Sequence, residues 1–343
     1  MENLRHLSTE EIEGIVLSNN EKRFRASQIQ DWIWKKNVGN IDEMLNLSKT
    51  FREALKEKYV INKVIVDHEQ FSNDGTIKSR FQLHDGHFIE GVLIPTSKRM
   101  TACVSSQVGC SLSCKFCATG FIDRKRNIDF DEIYDQVAII NEQALKHFNK
   151  PLTNIVFMGM GEPLLNFANV FRSVEYITSE NGMGMSPKRI TISTAGIAKM
   201  IMRMADENPK VNLALSLHAA IDTKRDQIMP INETNKLDAL IEAMDYYYKL
   251  TKNAVTFEYI LFSNVNDSYE DADALIKICR RIPSKVNIIE YNPIEFATFT
   301  KPDEERTDAF MAYLAQHRVN ARLRRSRGKD IDAACGQLAN VNH

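Results

Sequence analysis

Hydrophobic and polar positions follow one pattern before about residue 100 and another after it. Near the start, apolar residues recur at helical spacing behind Ser8 and Glu11, which form a capping-box pair. Further helical patterns cover 25–37 and 48–59, and residues 76–95 then alternate apolar and polar side chains around an Asp-Gly turn. We therefore predict a small helical domain over residues 1–60 and a β-ribbon linker over residues 61–95.

The rest of the chain alternates strand-like and helix-like segments. Six apolar, β-branched runs occur at 101–106, 154–160, 189–196, 211–218, 255–262 and 285–293. Most are separated by helical patterns, such as the one that places Ile133, Val137, Ile140 and Ala144 on one face. This order predicts an α/β core domain over residues 96–343, built as a parallel sheet or open barrel of βα units. In such folds the chemistry lies in the loops after the carboxyl ends of the strands.

Composition and charge argue against a membrane or secreted protein, and they do not indicate a particular binding partner. Lys and Arg total 44 and Asp and Glu total 45, so the formal net charge is −1. No stretch of 18 apolar residues occurs, and the first residues are polar and acidic, unlike a signal peptide. We therefore expect a cytoplasmic protein that does not bind membranes. In that reducing compartment, clustered cysteines are more typical of metal ligands or catalytic thiols than of disulfides.

Three of the six cysteines stand close together in a loop. Cys110, Cys114 and Cys117 have the spacing C-x3-C-x2-C, and the next cysteine, Cys279, lies inside a predicted helix. A structural zinc site needs four ligands, whereas three thiolates on a four-iron cluster leave one iron open to a small molecule. The alternatives are three buried thiols, or a zinc site completed by a distant side chain such as His218.

The stretch "CSLSCKFC" at 110–117 resembles the cluster motif of the radical S-adenosylmethionine (SAM) enzymes. Five longer motifs together closely resemble the adenosine-C2 methyltransferases that act on 23S ribosomal RNA and transfer RNA: "CVSSQVGC", "FMGMGEPLLN", "ISTAG", "LALSLHA" and "RGKDIDAACGQLA". The resemblance covers essentially the whole chain. It implies a radical SAM partial (β/α)6 barrel, a [4Fe–4S] cluster held by Cys110, Cys114 and Cys117, and two SAM molecules per turnover.

The resemblance also implies three catalytic residues. Cys335 would carry a methyl group as S-methylcysteine, Cys103 would release the product by forming a disulfide, and Glu90 would accept the C2 proton. A thiol carrier suits this chemistry, because C2 of adenine is not a nucleophile and thiolates are good ones. Without the resemblance, both cysteines could be small buried residues, and Glu90 could lie on the solvent face of a hairpin.

Contacts to SAM are expected from residues that follow successive strands. The glycines of "GMGEP" allow close approach of a ligand, and the carboxylate that follows can hold an ammonium group or ribose hydroxyls. Alone, each of these residues could equally be a turn or capping residue. The candidates are Gly161, Glu162, Ser193, Ser216, Leu217, His218 and Asn292.

Local basic segments are the candidates for RNA contact, since the net charge is near zero. These segments are 22–36, 123–127 and 322–329. The expected partners are 23S ribosomal RNA, transfer RNA and a flavodoxin-like or ferredoxin-like reductant, and we expect a monomer.

Two other functions stay open at the level of sequence. A sister class methylates C8 of the same ribosomal adenosine and shares the cluster motif and both working cysteines, although Pro163, Arg327 and Gly328 favour the C2 class. A non-catalytic, zinc-dependent RNA-binding module is the third possibility.

Overall fold

The computed structural model describes residues 1–340; residues 341–343, the end of the predicted core domain, lie outside the described residues. The α-helices of the described part are α1 Thr9–Ser18, α2 Arg25–Gln30, α3 Lys49–Lys58, α4 Phe130–Phe148, α5 Phe167–Thr178, α6 Ala198–Glu207, α7 Asp222–Ile228, α8 Leu237–Thr251, α9 Tyr269–Arg281 and α10 Glu304–Gln316. Its strands are β1 Glu2–Asn3, β2 Tyr59–Val60, β3 Ile65–Phe71, β4 Ile77–Gln82, β5 Phe88–Pro95, β6 Met100–Cys103, β7 Gln107–Val108, β8 Arg126–Asn127, β9 Asn154–Phe157, β10 Ile190–Thr194, β11 Asn212–Ser216, β12 Val255–Leu261, β13 Ser284–Glu290 and β14 Ala321–Arg324.

The first N-terminal helix begins where its capping residues predict. Ser8 and Glu11 form both hydrogen bonds of the predicted capping box of α1. α2 continues into a π-helical turn over Asp31–Lys35, which buries Trp34. The Trp34 ring stacks on Tyr176 of α5, with ring centroids 3.8 Å apart. The N-terminal helices are thus packed against helices of the α/β core.

The β-ribbon is one strand wider than the sequence predicts. β4 and β5 form the expected hairpin, closed by a hydrogen bond from the Leu83 N–H to the His87 carbonyl. β3 pairs with the far edge of β4, and β5 pairs with β6 of the core. The prediction missed β3 because most of its side chains are not buried, so its apolar residues show no clear alternation.

The core is an open, curved sheet of parallel strands with helices between them. Its strand order is β14-β13-β12-β11-β10-β9-β6, and the antiparallel β5, β4 and β3 continue the same ten-stranded sheet. All six predicted core strands are confirmed, and each is followed by a helix. Because consecutive strands are parallel neighbours, their carboxyl ends lie at one end of the barrel.

The sequence suggested only that the segment 322–329 is a basic segment for RNA contact. In the structure, part of this segment also forms a strand of the sheet. Its first residues belong to β14, which pairs with β13 so that Arg324 lies opposite Ile289. Leu323 is the one apolar residue among these cations, so the segment has no strand-like pattern that could reveal it. Pairing with β13 brings Arg324 to the inside of the barrel.

The helix patterns are largely confirmed by burial. The predicted apolar face of α4 is buried at Ile133, Val137, Ile140 and Ala144, and Cys279 packs, half buried, against the core from α9. Across residues 1–340, no helix combines the length and the hydrophobicity needed to span a bilayer.

Candidate active site

A short antiparallel ribbon closes the loop that carries the three clustered cysteines. β7 and β8 pair, so the loop 109–125 returns to its starting point. Inside it, the Cys110 N–H donates to the Ile122 carbonyl at 3.0 Å. A Cβ on Gly120 would come within 2.6 Å of the Cys114 carbonyl oxygen, so this compact loop requires glycine at that position.

The side chains of Cys110, Cys114 and Cys117 contribute to one cavity of about 130 Å³, which we call the cluster-side cavity. Its lining includes Cys110, Leu112, Cys114, Phe116, Cys117, Gly161, Glu162, Ser193, Ser216, His218 and Cys335. Three thiols at one cavity are one ligand short of a closed zinc site, whereas three thiolates on a four-iron cluster leave one iron open to a ligand.

The environment of these thiols is apolar. Burial raises the pKa of Cys110 to about 11 and the pKa of Cys114 well above its ordinary value. Cys117 shows the same direction, because burial raises its pKa more than the neighbouring Gly120 and Thr119 N–H groups lower it. Without a metal the thiols are therefore protonated, and metal binding displaces the protons.

His218 contributes to the cavity wall as a neutral side chain. Its Nδ1 accepts a hydrogen bond from the Ile260 N–H at 3.1 Å. Phe116 packs edge-on against its ring, with centroids 4.8 Å apart. Burial lowers the His218 pKa to about 3, so the imidazole is uncharged at neutral pH.

The "GMGEP" loop turns Glu162 into the wall of the cavity. The Glu162 carboxylate accepts hydrogen bonds from the Ala195 N–H at 2.7 Å and from the Leu164 N–H at 3.0 Å. Its own N–H donates to Gln107 at 2.9 Å. Burial raises the Glu162 pKa to about 7, so a cationic ligand group in the cavity would favour the ionised form.

Of the remaining predicted SAM contacts, some line the cluster-side cavity and others do not. Ser193 and Ser216, at the ends of β10 and β11, line the cluster-side cavity. The Leu217 side chain instead lies in the hydrophobic core. Asn292 supports the Cys335 loop, because its Nδ2 donates to the Ser326 hydroxyl at 2.9 Å and to the Cys335 carbonyl at 3.3 Å.

The loop that carries Cys335 lies directly beside the cluster loop. The Ala118 N–H donates to the Gly336 carbonyl at 2.7 Å, and the Thr119 hydroxyl donates to the Leu338 carbonyl at 2.7 Å. Two bonds from adjacent residues fix the register of the two segments. Cys335 is accessible from the cavity, but dense protein around it raises its pKa to about 11.

Cys103 lies buried at the end of β6. Burial raises its pKa to about 12, and the second cause is the charge of the Cys335 thiolate. The charge of Arg324 lowers the pKa of both thiols. Cys103 and Cys335, 232 residues apart in sequence, therefore lie within electrostatic range of each other.

Glu90 is not a surface residue of the hairpin, as its position in sequence alone would suggest. Its carboxylate is buried in β5 and accepts a hydrogen bond from the Ala339 N–H at 2.9 Å. The Lys78 ammonium lies 3.8 Å away. The segment after Cys335 thus covers Glu90 and separates it from the two cavities described here.

A second, larger cavity of about 640 Å³ opens from the other side of the barrel. We call it the basic cavity, because its lining contains six cations and one carboxylate: Arg99, Lys188, Lys285, Arg324, Arg325, Arg327 and Glu258. Five residues line both cavities, namely Met158, Glu258, Ile289, Arg324 and Cys335. These five form the boundary between the two cavities, and Cys335 is accessible from either side.

Two residues of this site, Arg225 and Glu258, were not predicted from the sequence. Arg225 is fully buried and donates to the carbonyls of Leu217, Ala195 and Ser216, which ties the strand-end loops together. Nothing in its surrounding sequence signals this role. Glu258 could have been found, because it is the one charged residue in the otherwise strand-like run 255–262.

Comparison with known proteins agrees with this geometry. The model of the ribosomal RNA large subunit methyltransferase N-terminal domain matches residues 2–61, and the radical SAM superfamily model matches residues 104–276. A probable dual-specificity RNA methyltransferase RlmN of Cytophaga hutchinsonii is 54% identical over 98% of this chain and 92% of its own length. Its counterpart in Christiangramia forsetii is 51% identical over 98% and 96%.

A solved structure shows the same architecture. The crystal structure of a radical SAM methyltransferase from Sphaerobacter thermophilus is 39% identical and superposes with a TM-score of 0.92, covering 98% of this chain and 99% of the other. The similarity extends from the N-terminal helices to the Cys335 loop. The superfamily's [4Fe–4S] cluster and SAM account for a three-cysteine site next to an open cavity. The chain belongs to the RlmN family of radical SAM methyltransferases.

Proposed function

We propose that the enzyme methylates C2 of adenosine in 23S ribosomal RNA and in transfer RNA, with Cys335 as methyl carrier. One observation carries this proposal: Cys335 is accessible from the cavity lined by the three clustered cysteines. Cys103 lies within electrostatic range of it. A carrier thiol is needed because C2 is not nucleophilic, and a second thiol is needed to detach the carrier from its product.

In this proposal Cys110, Cys114 and Cys117 hold the cluster, and SAM lies among Gly161, Glu162, Ser193, Ser216 and His218. Once bound there, the reduced cluster and SAM would supply a 5′-deoxyadenosyl radical, which would activate the carrier's methyl group by removing one of its hydrogen atoms. Two SAM molecules are used per turnover, one for this radical and one as methyl donor.

The thiols perform the covalent steps at the two ends of the reaction. Cys335 Sγ forms a bond to the methyl group of SAM as the sulfonium–methyl bond breaks, which leaves S-adenosylhomocysteine. After the activated carbon has joined C2, the adduct gives up one electron, for which the oxidised cluster would be the acceptor, and Glu90 accepts the C2 proton. Cys103 then attacks Cys335 Sγ and forms a disulfide; the carbon–sulfur bond breaks, and its electron pair stays on the released carbon, which takes up a proton to become the methyl group. In this sequence the Ala339 segment must move to uncover Glu90.

The partners belong to the same proposal. The basic cavity is the entry for the target nucleotide, because its cations suit RNA phosphates and the base must leave its stack to reach Cys335. Residues 1–60 are a helical accessory domain for RNA contact, joined through the ribbon over 61–95 to the core. A flavodoxin-like or ferredoxin-like protein supplies the electron, and the enzyme acts as a monomer in the cytoplasm.

The two cysteine roles are tested by trapping the intermediate. In Cys103→Ala, Cys335 still accepts the methyl group and reacts with RNA but is not released, so a covalent protein–RNA adduct should accumulate. Denaturing electrophoresis and mass spectrometry of the Cys335 peptide measure it. The matched control is the Cys103→Ala, Cys335→Ala double variant, which should give no adduct. Multiple turnover by Cys103→Ala at the wild-type rate would exclude the resolving role.

A further inference from the structure

A buried carboxylate lies inside the barrel and has no role in the proposed chemistry. Glu258 of β12 is 4% exposed, and its Oε1 accepts a hydrogen bond from Asn287 Nδ2 at 2.8 Å. No hydrogen-bond donor within residues 1–340 reaches the buried Oε2. The Arg324 guanidinium lies 3.8 Å from it, which is too far for a hydrogen bond. An unmet buried carboxylate oxygen is costly, so a ligand donor is expected there.

The position of Glu258 along β12 places it between the two cavities. Alternate residues of a strand face the same side, so Thr256, Glu258 and Ile260 point into the barrel. Ile260 packs in the apolar cluster that contains the three cluster cysteines, whereas Thr256 lines the basic cavity. Glu258 lies between them, at the boundary of the two cavities.

Arg324 is the matching donor. It reaches this boundary from β14, and its Nη1 contacts the Met158 sulfur at 3.9 Å. It lines both cavities together with Glu258 and Cys335. Burial raises the pKa of both Cys335 and Glu258, and the charge of Arg324 opposes that rise in each case, so Arg324 lies within electrostatic range of both. Acceptor and donor thus stand side by side next to the methyl carrier.

We propose that Glu258 and Arg324 hold the target base by its amino edge: Glu258 Oε2 accepts an N–H from the exocyclic amino group of adenine, and Arg324 donates to N1. This inference rests on the proposed function and adds its specificity determinant. In adenine, N1 lies between C2 and the carbon that bears the amino group. Holding these two atoms therefore turns C2 toward Cys335 and leaves C8 on the far side of the base.

The pairing also explains selection among bases. Guanine presents a carbonyl oxygen where adenine has its amino group, and that oxygen would face the Glu258 carboxylate. It also carries an N–H at N1, which would face the Arg324 donors. Two misplaced groups in a buried site penalise guanine more strongly than loss of a contact alone.

A chemical double-mutant cycle tests the contact to the amino group. Wild type and Glu258→Gln are compared on an RNA stem-loop that carries adenosine or purine riboside, which has hydrogen in place of the amino group. For the wild type, removing the amino group should lower kcat/KM about 10- to 100-fold. Glu258→Gln should lower kcat/KM on adenosine RNA by a similar factor and show little further loss on purine riboside. If Glu258→Gln on purine riboside RNA loses activity by the product of the two single factors, the two changes are independent and the proposed contact is refuted.

Three further measurements separate the possible failures. Glu258→Gln should bind SAM and load the methyl group onto Cys335 without RNA as the wild type does; a loss of SAM affinity alone would assign Glu258 to the cofactor and refute the proposal. The exposed Glu175→Gln is the control substitution and should match the wild type on both RNAs. If wild type methylates no adenosine RNA, the proposed function itself fails, independently of the cycle.

The contact between Arg324 and N1 is tested with a second substrate analogue and with two Arg324 variants. An RNA that carries 1-deazaadenosine lacks the N1 acceptor, and the wild type should use it about 10-fold or more less well. Arg324→Met should not distinguish this RNA from adenosine RNA, while Arg324→Lys should keep part of the discrimination. Equal use of both RNAs by the wild type would contradict the donation to N1.

Discussion

At the residue scale, the geometry of the "GMGEP" loop depends on the absence of a side chain at Gly161. Gly161 has φ +94°, and a Cβ there would collide with the Gln107 side chain and backbone. Gln107 in turn accepts the Glu162 N–H. The loop that places the Glu162 carboxylate in the cavity therefore requires a glycine before it.

Gly161→Ala should weaken SAM binding at least about 10-fold, because relieving the collision moves the Glu162 backbone, and small displacements of a positioned group are costly. Equilibrium binding of SAM to the cluster-loaded enzyme measures this. Gly14→Ala is the matched control: apart from the adjoining residues and the backbone of α1, no atom lies within 4 Å of its added Cβ, and it should stabilise the protein by about 0.5–1 kcal/mol. SAM affinity of Gly161→Ala within twofold of the wild type would contradict the steric argument.

At the element scale, the N-terminal helices are tied to α4 by buried charge. Asp135 of α4 accepts hydrogen bonds from Arg5 at 2.9 Å and from Lys63 at 2.6 Å, and also from the Val64 N–H at 3.1 Å. Arg5 is completely buried and lies over the Trp34 ring. One carboxylate thus connects the first residues, the start of the ribbon and the core.

Asp135→Ala should lower the free energy of unfolding by about 3–5 kcal/mol, since it leaves the buried Arg5 charge without its partner. Denaturant unfolding measures the loss, and limited proteolysis should show early cleavage within residues 1–60. The control is Asp245→Ala, which removes only an exposed pair with Lys249 on α8 and should cost about 0.5 kcal/mol or less. A loss below 1 kcal/mol for Asp135→Ala would mean that apolar packing alone fixes the N-terminal helices.

At the scale of the whole molecule, the sequence predicts the order of the helices and strands well. It predicts poorly which distant residues come together at the site. Helical periodicity and β-branched runs identified the six βα units, because burial imposes those patterns on the chain. β3 and β14 escaped, since an edge strand with exposed side chains carries no such pattern. The cysteine spacing identified the cluster loop because its ligands are local in sequence.

The remaining parts of the site depend on contacts between distant segments. Cys103 and Cys335 could be linked only through the family resemblance, and the covering of Glu90 by Ala339 has no local signal at all. The Glu258–Arg324 pair joins two strands 66 residues apart. The contact between Glu258 and Arg324 follows from the registers of β12 against β13 and of β13 against β14, which a single sequence does not specify.

The proposed function requires this enzyme to place a methyl group on C2 of adenosine. The most direct test expresses the chain in cells that lack their own C2 methyltransferase, digests ribosomal and transfer RNA to nucleosides, and separates the methyladenosine isomers by mass spectrometry against standards. We expect 2-methyladenosine in both RNA types with the wild type, and none with Cys335→Ala. Methyl groups found only on C8, or in neither RNA, would contradict it.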